Sequence, residues 1–464
     1  MKDSKYNTPP VVGLIVTDTI GGRMASPGIR FWEFARVLSE RFSVRLIMPP
    51  WVPTDEEATF EGAPAPVRVC DSEEDLKLAL DDCDIVVTQG VTLYFHPFLR
   101  QINKPLVLDI YVPMLLEDLE RAQEIDLASR LSSSENIMEA DRVNLRHGDF
   151  FLCASERQRD YSLGLLAALG RINPFTFSQD PSLRRLIDVT PFGISESPPQ
   201  HTQQVLKGVM PGIGTDDPLI LWNGGIWKWF DTQTLVRALP AVLEKKPNAR
   251  LVFMGKTAPP RIGTGLPEID DLVALSRELG LLEEHVFFQG WVPYEERQNY
   301  LLEADVAVSL HMDHVETHFS FRTRLLDCLW TALPLVSTRG DVMADTLAQH
   351  GLARLVPPGD VDGVAQALLA WLETPNLRAQ CQARAAEIQP DFYWHAAAQP
   401  LVDFCSQADF APDKPYLAER GPSAGSPGER SLLSKVWRAL RVGGPGSLLR
   451  QASEYFQWKL RQRR

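Results

Sequence analysis

Four charged residues interrupt a segment that otherwise has the composition of a buried core. The segment HVETHFSFRTRLLDCLWTALPLVST contains Glu316, Arg322, Arg324 and Asp327 and ends in an apolar, strand-like run. Its leucines and tryptophan recur at helical spacing, which places Asp327 near a helix start and one residue off the apolar face. A carboxylate there can accept two ribose hydroxyls. Because arginines at a helix start are unfavourable unless an anion is also bound, we expect a diphosphate beside them.

Two glycine pairs follow apolar runs that have the composition of strands. Gly21 and Gly22 precede one helical pattern, and Gly224 and Gly225 repeat the arrangement with Lys228 close behind. Bare backbone N–H groups beside a helix N-terminus can approach a phosphate closely. Each pair alone is equally compatible with a tight turn that binds nothing. One pair in each half of the chain, facing each other across a cleft, is a stronger indication of a phosphate site.

Short β-rich apolar runs alternate with helical patterns along the chain. Such runs occur at 11–18, 43–49, 84–90, 104–111, 149–156, 218–225, 249–256, 285–292, 304–311, 333–338 and 353–360. This alternation predicts parallel sheets covered by helices on both faces. We therefore expect an α/β protein with two Rossmann-like domains whose sheets face a central cleft, the usual place for a ligand in such folds.

The predicted domain boundaries follow changes in composition. A joint rich in Pro, Ser and Gly around 189–203 separates domains at 1–195 and 196–410, and the last helix of the second is expected to pack back on the first. Residues 411–430 have the composition of a linker, and 431–464 form a basic tail.

Composition restricts the class of protein further. The chain has 464 residues, of which 44% are hydrophobic, and its net charge of −13 argues against a nucleic-acid partner. Its six cysteines are scattered without a C-x-x-C pair, which is typical of reduced thiols in a cytoplasmic protein. His311, His314 and His318 match no standard metal-ligand spacing, so we expect no metal and no cofactor. The sequence also shows no signal peptide and no uninterrupted apolar run of about 18 residues.

The order of these motifs resembles glycosyltransferase family 4, whose members have the two-Rossmann GT-B fold. The run from GWVPYEER through FRTRLLDCLW to LVPPGD matches the C-terminal half of that family in order, and NGGIWKWFD resembles its first C-domain strand and loop. DVTPFGI resembles its inter-domain segment and GGRMASPG its N-terminal glycine loop. The resemblance covers roughly residues 10–405. It implies a retaining enzyme that uses a nucleotide-sugar donor.

The family signature consists of two glutamates separated by seven residues. The first reaches the donor sugar and phosphate, and the second binds the ribose hydroxyls. Asp327 falls at the position of the second glutamate, one methylene shorter. Glu316 is the counterpart of the first, although it precedes Asp327 by eleven positions instead of eight.

The diphosphate-binding Arg and Lys of the family are absent from this chain. They align with Gly225 and Phe230, neither of which is basic. The resemblance therefore implies that Lys228, Arg322 and Arg324 take over the diphosphate and, with Glu316, form the catalytic set. The glycines at 21–22 and 224–225 and Asp327 would bind the donor.

The strand ending in LVLDIY carries the candidate acceptor contacts. Asp109 and Tyr111 lie where the family often has a histidine near the acceptor, and Asp109 is equally suited to a structural capping role. Ser155 resembles a family serine and is equally suited to begin a helix.

These features predict a glycosyltransferase that transfers a sugar from a nucleotide diphosphate sugar to the hydroxyl of a glycan or lipid-linked acceptor. Two alternatives remain open. A nucleotide-sugar epimerase with the same fold would need a carboxylate acid–base pair, for which the sequence offers no candidate. A non-catalytic partner subunit is suggested by the missing Arg and Lys.

The tail combines apolar stripes with a basic face. Residues 431–464 hold eight Lys or Arg and one Glu, and two amphipathic helical patterns are separated by Gly and Pro at 443–446. Such helices lie on anionic membrane surfaces, which would place the protein at the cytoplasmic face of the cell membrane and in polysaccharide or glycolipid synthesis. The alternative is a tail that packs on the acidic body or trails as a basic end.

The membrane interpretation predicts that the tail carries lipid binding. The full chain should sediment with anionic liposomes and much less with neutral ones, because the basic face needs a negative surface. A chain ending at residue 430 should lose this preference. Equal sedimentation of the two chains, or no preference for anionic lipid, would contradict the hypothesis.

Overall fold

The computed structural model describes residues 9–420 apart from 22–23, 53–59, 61, 124 and 256–266. Its first domain contains a seven-stranded sheet in the order β3-β2-β1-β4-β5-β6-β7, with every pair of neighbours parallel. The strands are β1 Val11–Ile15, β2 Ser43–Met48, β3 Val67–Val69, β4 Ile85–Gln89, β5 Leu106–Asp109, β6 Phe150–Cys153 and β7 Ile187–Val189. The central strands are buried almost throughout, as expected of a parallel sheet covered on both faces.

Seven α-helices connect these strands. They are α1 Ser26–Leu38, α2 Glu73–Asp81, α3 Thr92–Phe95, α4 Met114–Arg121, α5 Leu127–His147, α6 Glu156–Ala168 and α7 Pro174–Gln179, with a 3₁₀ turn at Pro97–Gln101. Ser155 begins α6 as its cap, since its hydroxyl accepts a hydrogen bond from the backbone N–H of Gln158. Ser155 therefore has the capping role that the sequence left open.

The second domain contains a six-stranded parallel sheet in the order β10-β9-β8-β11-β12-β13. Its strands are β8 Leu219–Trp222, β9 Arg250–Phe253, β10 Val286–Phe288, β11 Val306–Ser309, β12 Leu335–Thr338 and β13 Ala353–Val356. Its helices are α8 Thr232–Leu243, α9 Pro267–Glu278, α10 Arg297–Glu303, α11 Val315–Phe319, α12 Arg324–Thr331, α13 Val342–Gln349, α14 Val361–Leu372 and α15 Leu377–Ile388, with a 3₁₀ turn at Tyr294–Glu296. The predicted pair of parallel α/β units is thereby confirmed.

The end of the described chain returns to the first domain. After a 3₁₀ turn at Gln389–Phe392, it forms α16 Trp394–Ala397, α17 Gln399–Gln407 and α18 Lys414–Arg420. The ring of Phe404 stacks on Phe150 of β6 at 4.8 Å, and the buried Asp413 pairs with Arg171 at 2.8 Å. Residues 411–420, for which the sequence predicts a linker, thus contain an anchored helix. The predicted tail at 431–464 lies outside the described residues.

Among the described residues, none of the helices is both long and apolar enough to cross a membrane.

A histidine joins three parts of the chain near the domain joint. His395 of α16 contacts Glu40, which follows α1, through Nε2 at 2.6 Å and Glu196 of the joint through Nδ1 at 2.5 Å. The hydrogen bond to Glu40 is the largest cause of a raised pKa for His395, and Glu196 adds to it. The imidazolium is therefore favoured in the folded state.

This raised pKa predicts a pH-dependent contribution of His395 to stability. The contribution should be complete below the unfolded pKa of about 6.5 and lost as pH rises through the higher folded pKa. Because the side chain is 45% exposed, His395→Ala should lower Tm by only about 1 to 2 °C at pH 6 and by less at pH 9. Thermal unfolding at both pH values measures it, with His350→Ala as the control. An equal loss of Tm at both pH values would contradict the assignment.

Candidate active site

A cavity of about 630 Å³ lies between the two domains, at the carboxyl ends of their strands. The start of α1 and the β5–α4 segment line it from the first domain, and the β8–α8 loop and the start of α12 line it from the second. The hydroxyls of Ser26 and Thr323 meet across the cleft at 3.0 Å, so the N-termini of α1 and α12 face each other. Helix N-termini attract anions, so the geometry favours a negatively charged ligand between them.

Two arginines at the start of α12, the buried Arg322 and the half-buried Arg324, line the same cavity. Arg322 donates through Nη2 to Glu316 at 2.5 Å, and Arg324 donates through Nη2 to the carbonyl of Gly225 at 2.6 Å. Within the described structure, Nε of Arg322 and Nη1 of Arg324 are buried without a hydrogen-bond partner. Buried guanidinium N–H groups that lack acceptors are costly, so they are suited to an anionic ligand.

Both guanidinium groups lie against Phe230. The centre of the Arg324 guanidinium is 4.0 Å from the centroid of this ring, and that of Arg322 is 5.1 Å away. Phe230 occupies the position at which the family resemblance expects a lysine. The aromatic face stabilises both cations through cation–π contact.

Burial and mutual repulsion change the titration of this cluster. Burial, followed by the charge of Arg322, lowers the pKa of Arg324 to about 9. Burial likewise raises the pKa of Asp341, which accepts the backbone N–H of Arg322, to about 6. A bound anion would oppose the effect on Arg324, because opposite charge favours the charged form.

Asp327 also lines the cavity, one turn into α12. Its carboxylate pairs with Arg297 at 3.0 Å, and its side chain keeps 28% of its surface exposed. Arg297 is itself held over the ring of Tyr294 at 3.7 Å. The pair orients Asp327 while leaving part of the carboxylate accessible to a ligand.

The glycines predicted to bind the donor have different positions. Gly224 and Gly225 line the cavity, and Gly224 has φ +128°, which other residues rarely adopt. A Cβ at Gly224 would come within 3.3 Å of the Arg324 guanidinium carbon. Gly21 also has a positive φ, but the cavity wall on its loop is formed by Asp18 and residues 24–27. Gly22 lies outside the described residues.

Two predicted catalytic residues lie behind the cavity surface. Glu316 is fully buried and contacts the cavity through its ion pair with Arg322. Lys228 lies between Trp227 and Trp229 in the sequence and is half-buried. Both tryptophans line the cavity, whereas Lys228 is outside its wall.

Asp109 does not have the predicted contact with an acceptor. Its two carboxylate oxygens accept hydrogen bonds from Arg30 at 2.7 and 3.0 Å, and both side chains are fully buried. Arg30 also donates to the carbonyls of Thr190 and Pro191. Asp109 therefore has a structural role at the domain joint, whereas Tyr111 lines the cavity and its contact with an acceptor stays a prediction.

Sequence reasoning missed Glu117 and Asp118, two carboxylates of α4 that line the cavity. Burial raises the pKa of Glu117 to about 7, and the charge of Glu316 across the cleft adds to this effect. In the sequence MLLEDLER, both residues have the pattern of a solvated helix face, and their position becomes apparent only from the packing of α4 against α11.

Comparison with known proteins agrees with this geometry. Residues 217–374 match the family of group 1 glycosyl transferases. The phosphatidyl-myo-inositol mannosyltransferase of Mycolicibacterium smegmatis is 27% identical over 168 residues, which are 36% of this chain and 39% of that protein. The aligned part of this chain thus spans about two fifths of the length of that relative.

Solved structures extend the likeness to both domains. The Anabaena protein HepE in complex with UDP-glucose superposes with a TM-score of 0.59 at 15% identity, over 86% of this chain and 99% of HepE. WaaG, a glycosyltransferase involved in lipopolysaccharide biosynthesis, gives a TM-score of 0.58 at 15% identity, over 85% of this chain and 99% of WaaG. The fold of this chain is therefore the GT-B fold of glycosyltransferases.

Proposed function

We propose that this protein transfers a sugar from a nucleotide diphosphate sugar to an acceptor hydroxyl. The unpartnered guanidinium atoms of Arg322 and Arg324, buried at the N-terminus of α12, are the observation that carries the proposal. A diphosphate would supply acceptors for both and interact favourably with the helix dipole. The match of residues 217–374 to group 1 glycosyl transferases supports the same function.

The arginines would act mainly on the leaving group. As the bond between the sugar carbon and the diphosphate oxygen breaks, negative charge develops on the departing phosphate. Preorganised cations in a cavity that excludes water stabilise this charge strongly. Glu316 would hold Arg322 in place, and Asp327 would accept the ribose hydroxyls.

The family resemblance further leads us to propose a hexose donor and retention of anomeric configuration. The acceptor oxygen would attack the sugar carbon on the face that the diphosphate leaves. Its proton would pass to the departing phosphate oxygen, so atoms and charge balance without a base from the protein.

The relatives suggest where the product belongs. One curated relative is a mannosyltransferase of phosphatidyl-myo-inositol, and WaaG acts in lipopolysaccharide biosynthesis. We therefore propose a glycan or lipid-linked acceptor in cell-surface polysaccharide or glycolipid synthesis at the cytoplasmic face of the membrane. The basic tail predicted from residues 431–464 is consistent with this location.

One experiment with two arms separates this proposal from its alternatives. An epimerase converts the nucleotide sugar without an acceptor, whereas a transferase releases nucleotide diphosphate when an acceptor is present. A non-catalytic subunit does neither. Following a labelled donor with and without acceptors therefore distinguishes all three.

The arginine cluster predicts both donor binding and turnover. Among UDP-, GDP- and ADP-linked hexoses, the right donor at 100 times its Kd should stabilise the fold by about 2.7 kcal/mol.

Arg324→Ala should lower turnover about 10²-fold, because the transition state loses a counter-ion. Arg354→Ala is the control, since this exposed arginine stacks on Trp371. Full activity of Arg324→Ala with that donor would refute the assigned role.

Asp327 provides a second test of the donor site. Asp327→Ala should raise the donor Kd about tenfold or more, because a charged acceptor of hydrogen bonds is lost. Asp327→Glu restores the residue that the family resemblance expects and should keep donor affinity within a few fold. Titration calorimetry measures both, and unchanged affinity in a folded Asp327→Ala variant would contradict ribose binding.

A further inference from the structure

The first-domain wall of the cavity has its own polar groups, carried by α4. Asp118 is 3% exposed, and its Oδ1 accepts hydrogen bonds from Arg121 at 2.8 Å and Ser133 at 2.9 Å. Its Oδ2 is buried without a partner in the described structure, although the residue lines the cavity. Burying a carboxylate oxygen without a hydrogen-bond donor costs free energy. A ligand hydroxyl that donates to Oδ2 would remove this cost.

Glu117 lies next to Asp118 on the same wall and close to Glu316 and Arg322. Helix α4 packs against α11, which carries Glu316, so the carboxyl of Glu117 experiences the charges of Glu316 and Arg322 from the second domain. On its own side it is close to Arg121 and Tyr111. A group bound by Glu117 would therefore lie between α4 and the groups assigned to the donor diphosphate.

Apart from Asp18, Ser26 and Arg121, the rest of this wall is largely apolar. Val91, Tyr111, Val112, Met114 and Ile137 line it together with the two carboxylates. Arg121 also lines the wall, but its guanidinium is bound to Asp118 and is 68% exposed. Two carboxylates among apolar groups repel an anionic acceptor and suit a ligand that offers both hydroxyls and C–H faces, as sugars do.

We propose that Glu117 and Asp118 form the acceptor subsite and bind the hydroxyls of an uncharged sugar. The inference rests on the proposed function and adds to it the class of acceptor and the residues that position it. The two carboxylates accept hydrogen bonds from hydroxyls that flank the reacting one, while the reacting proton still passes to the departing phosphate. They are thus positioning residues that set acceptor affinity.

The raised pKa of Glu117 makes this role measurable. Hydrogen bonds to an ionised carboxylate are about twice as strong as those between neutral groups. Because burial and Glu316 raise the pKa of Glu117 to about 7, acceptor binding should strengthen as pH rises through that value. The acceptor KM should accordingly fall between about pH 6 and pH 8 in the wild type and stay level in Glu117→Gln.

Steady-state kinetics with matched acceptors tests the subsite. Octyl glucoside and octyl glucuronide differ only at C6, which carries a neutral hydroxymethyl group in the first and a carboxylate in the second. The donor is the nucleotide hexose selected by thermal stabilisation. We expect the glucoside to be the better acceptor by kcat/KM. Glu117→Gln and Asp118→Asn should each raise its KM about tenfold and leave donor Kd unchanged. Asp118→Asn keeps Oδ1 for Arg121 and Ser133, so the fold is preserved.

Glu120→Gln is the matched control, because it removes the same charge from the same helix outside the cavity wall. Wild-type acceptor KM in both cavity variants, or preference for the glucuronide, would overturn the inference while leaving the proposed function intact. Failure of every nucleotide sugar to bind the wild type would overturn the proposed function and the inference together.

Discussion

The candidate site is organised by the guanidinium groups of the buried Arg322 and the half-buried Arg324. Among the described residues, a single carboxylate, Glu316, is in direct ion-pair contact with this pair, and it contacts Arg322. Burying a cation without a full counter-charge is expensive, and the protein offsets part of this cost locally. Phe230 offers its ring to both groups, and Gly225 offers a carbonyl to Arg324. The carbonyl of Arg324 in turn accepts the side chain of Asn223, so the end of β8 and the start of α12 are fixed together. Glycine suits position 224 for two reasons: its φ is +128°, and a Cβ there would come within 3.3 Å of the Arg324 guanidinium carbon.

The two walls of the cavity must keep their relative position for such a cluster to meet a ligand. The buried pair of Arg30 and Asp109 contributes, because Arg30 also holds the carbonyls of Thr190 and Pro191 where the chain leaves the first domain. At the other end of the described chain, Asp413 pairs with the buried Arg171 and returns α18 to the first domain. Each pair is fully desolvated and surrounded by further hydrogen bonds, so breaking one would leave an uncompensated charge in the core. The joint is therefore defined by polar contacts at specific atoms, in addition to apolar packing.

The sequence was sufficient to predict the architecture and several of the residues that line the cavity. Continuous apolar runs separated by helical patterns are a local signal, and both parallel sheets follow from them. Arg322, Arg324 and Asp327 were identifiable because charge within an apolar segment is unusual at the level of neighbouring residues. Glu117 and Asp118 carried no such signal, since acidic residues on a short helix are ordinarily solvated, and it is the packing of α4 against α5 and α11 that places them in the cavity wall. The role of Asp109 was ambiguous in the sequence because its partner, Arg30, lies 79 positions away.

The departures from the family pattern can be understood as one relocation of charge. A lysine on the β8–α8 loop would approach a diphosphate as a compact ammonium on a flexible chain. Phe230 occupies this position instead. Positive charge at this surface comes from Arg324 at the start of α12, whose planar guanidinium lies on the ring while its Nη1 has no hydrogen-bond partner among the described residues. Arginine suits this exchange because it stays charged more readily than lysine on burial and is more weakly hydrated. Since position 230 and position 324 contribute to one surface, the absence of a basic residue at the first does not leave this surface without a cation. The main argument for a non-catalytic subunit is weakened accordingly.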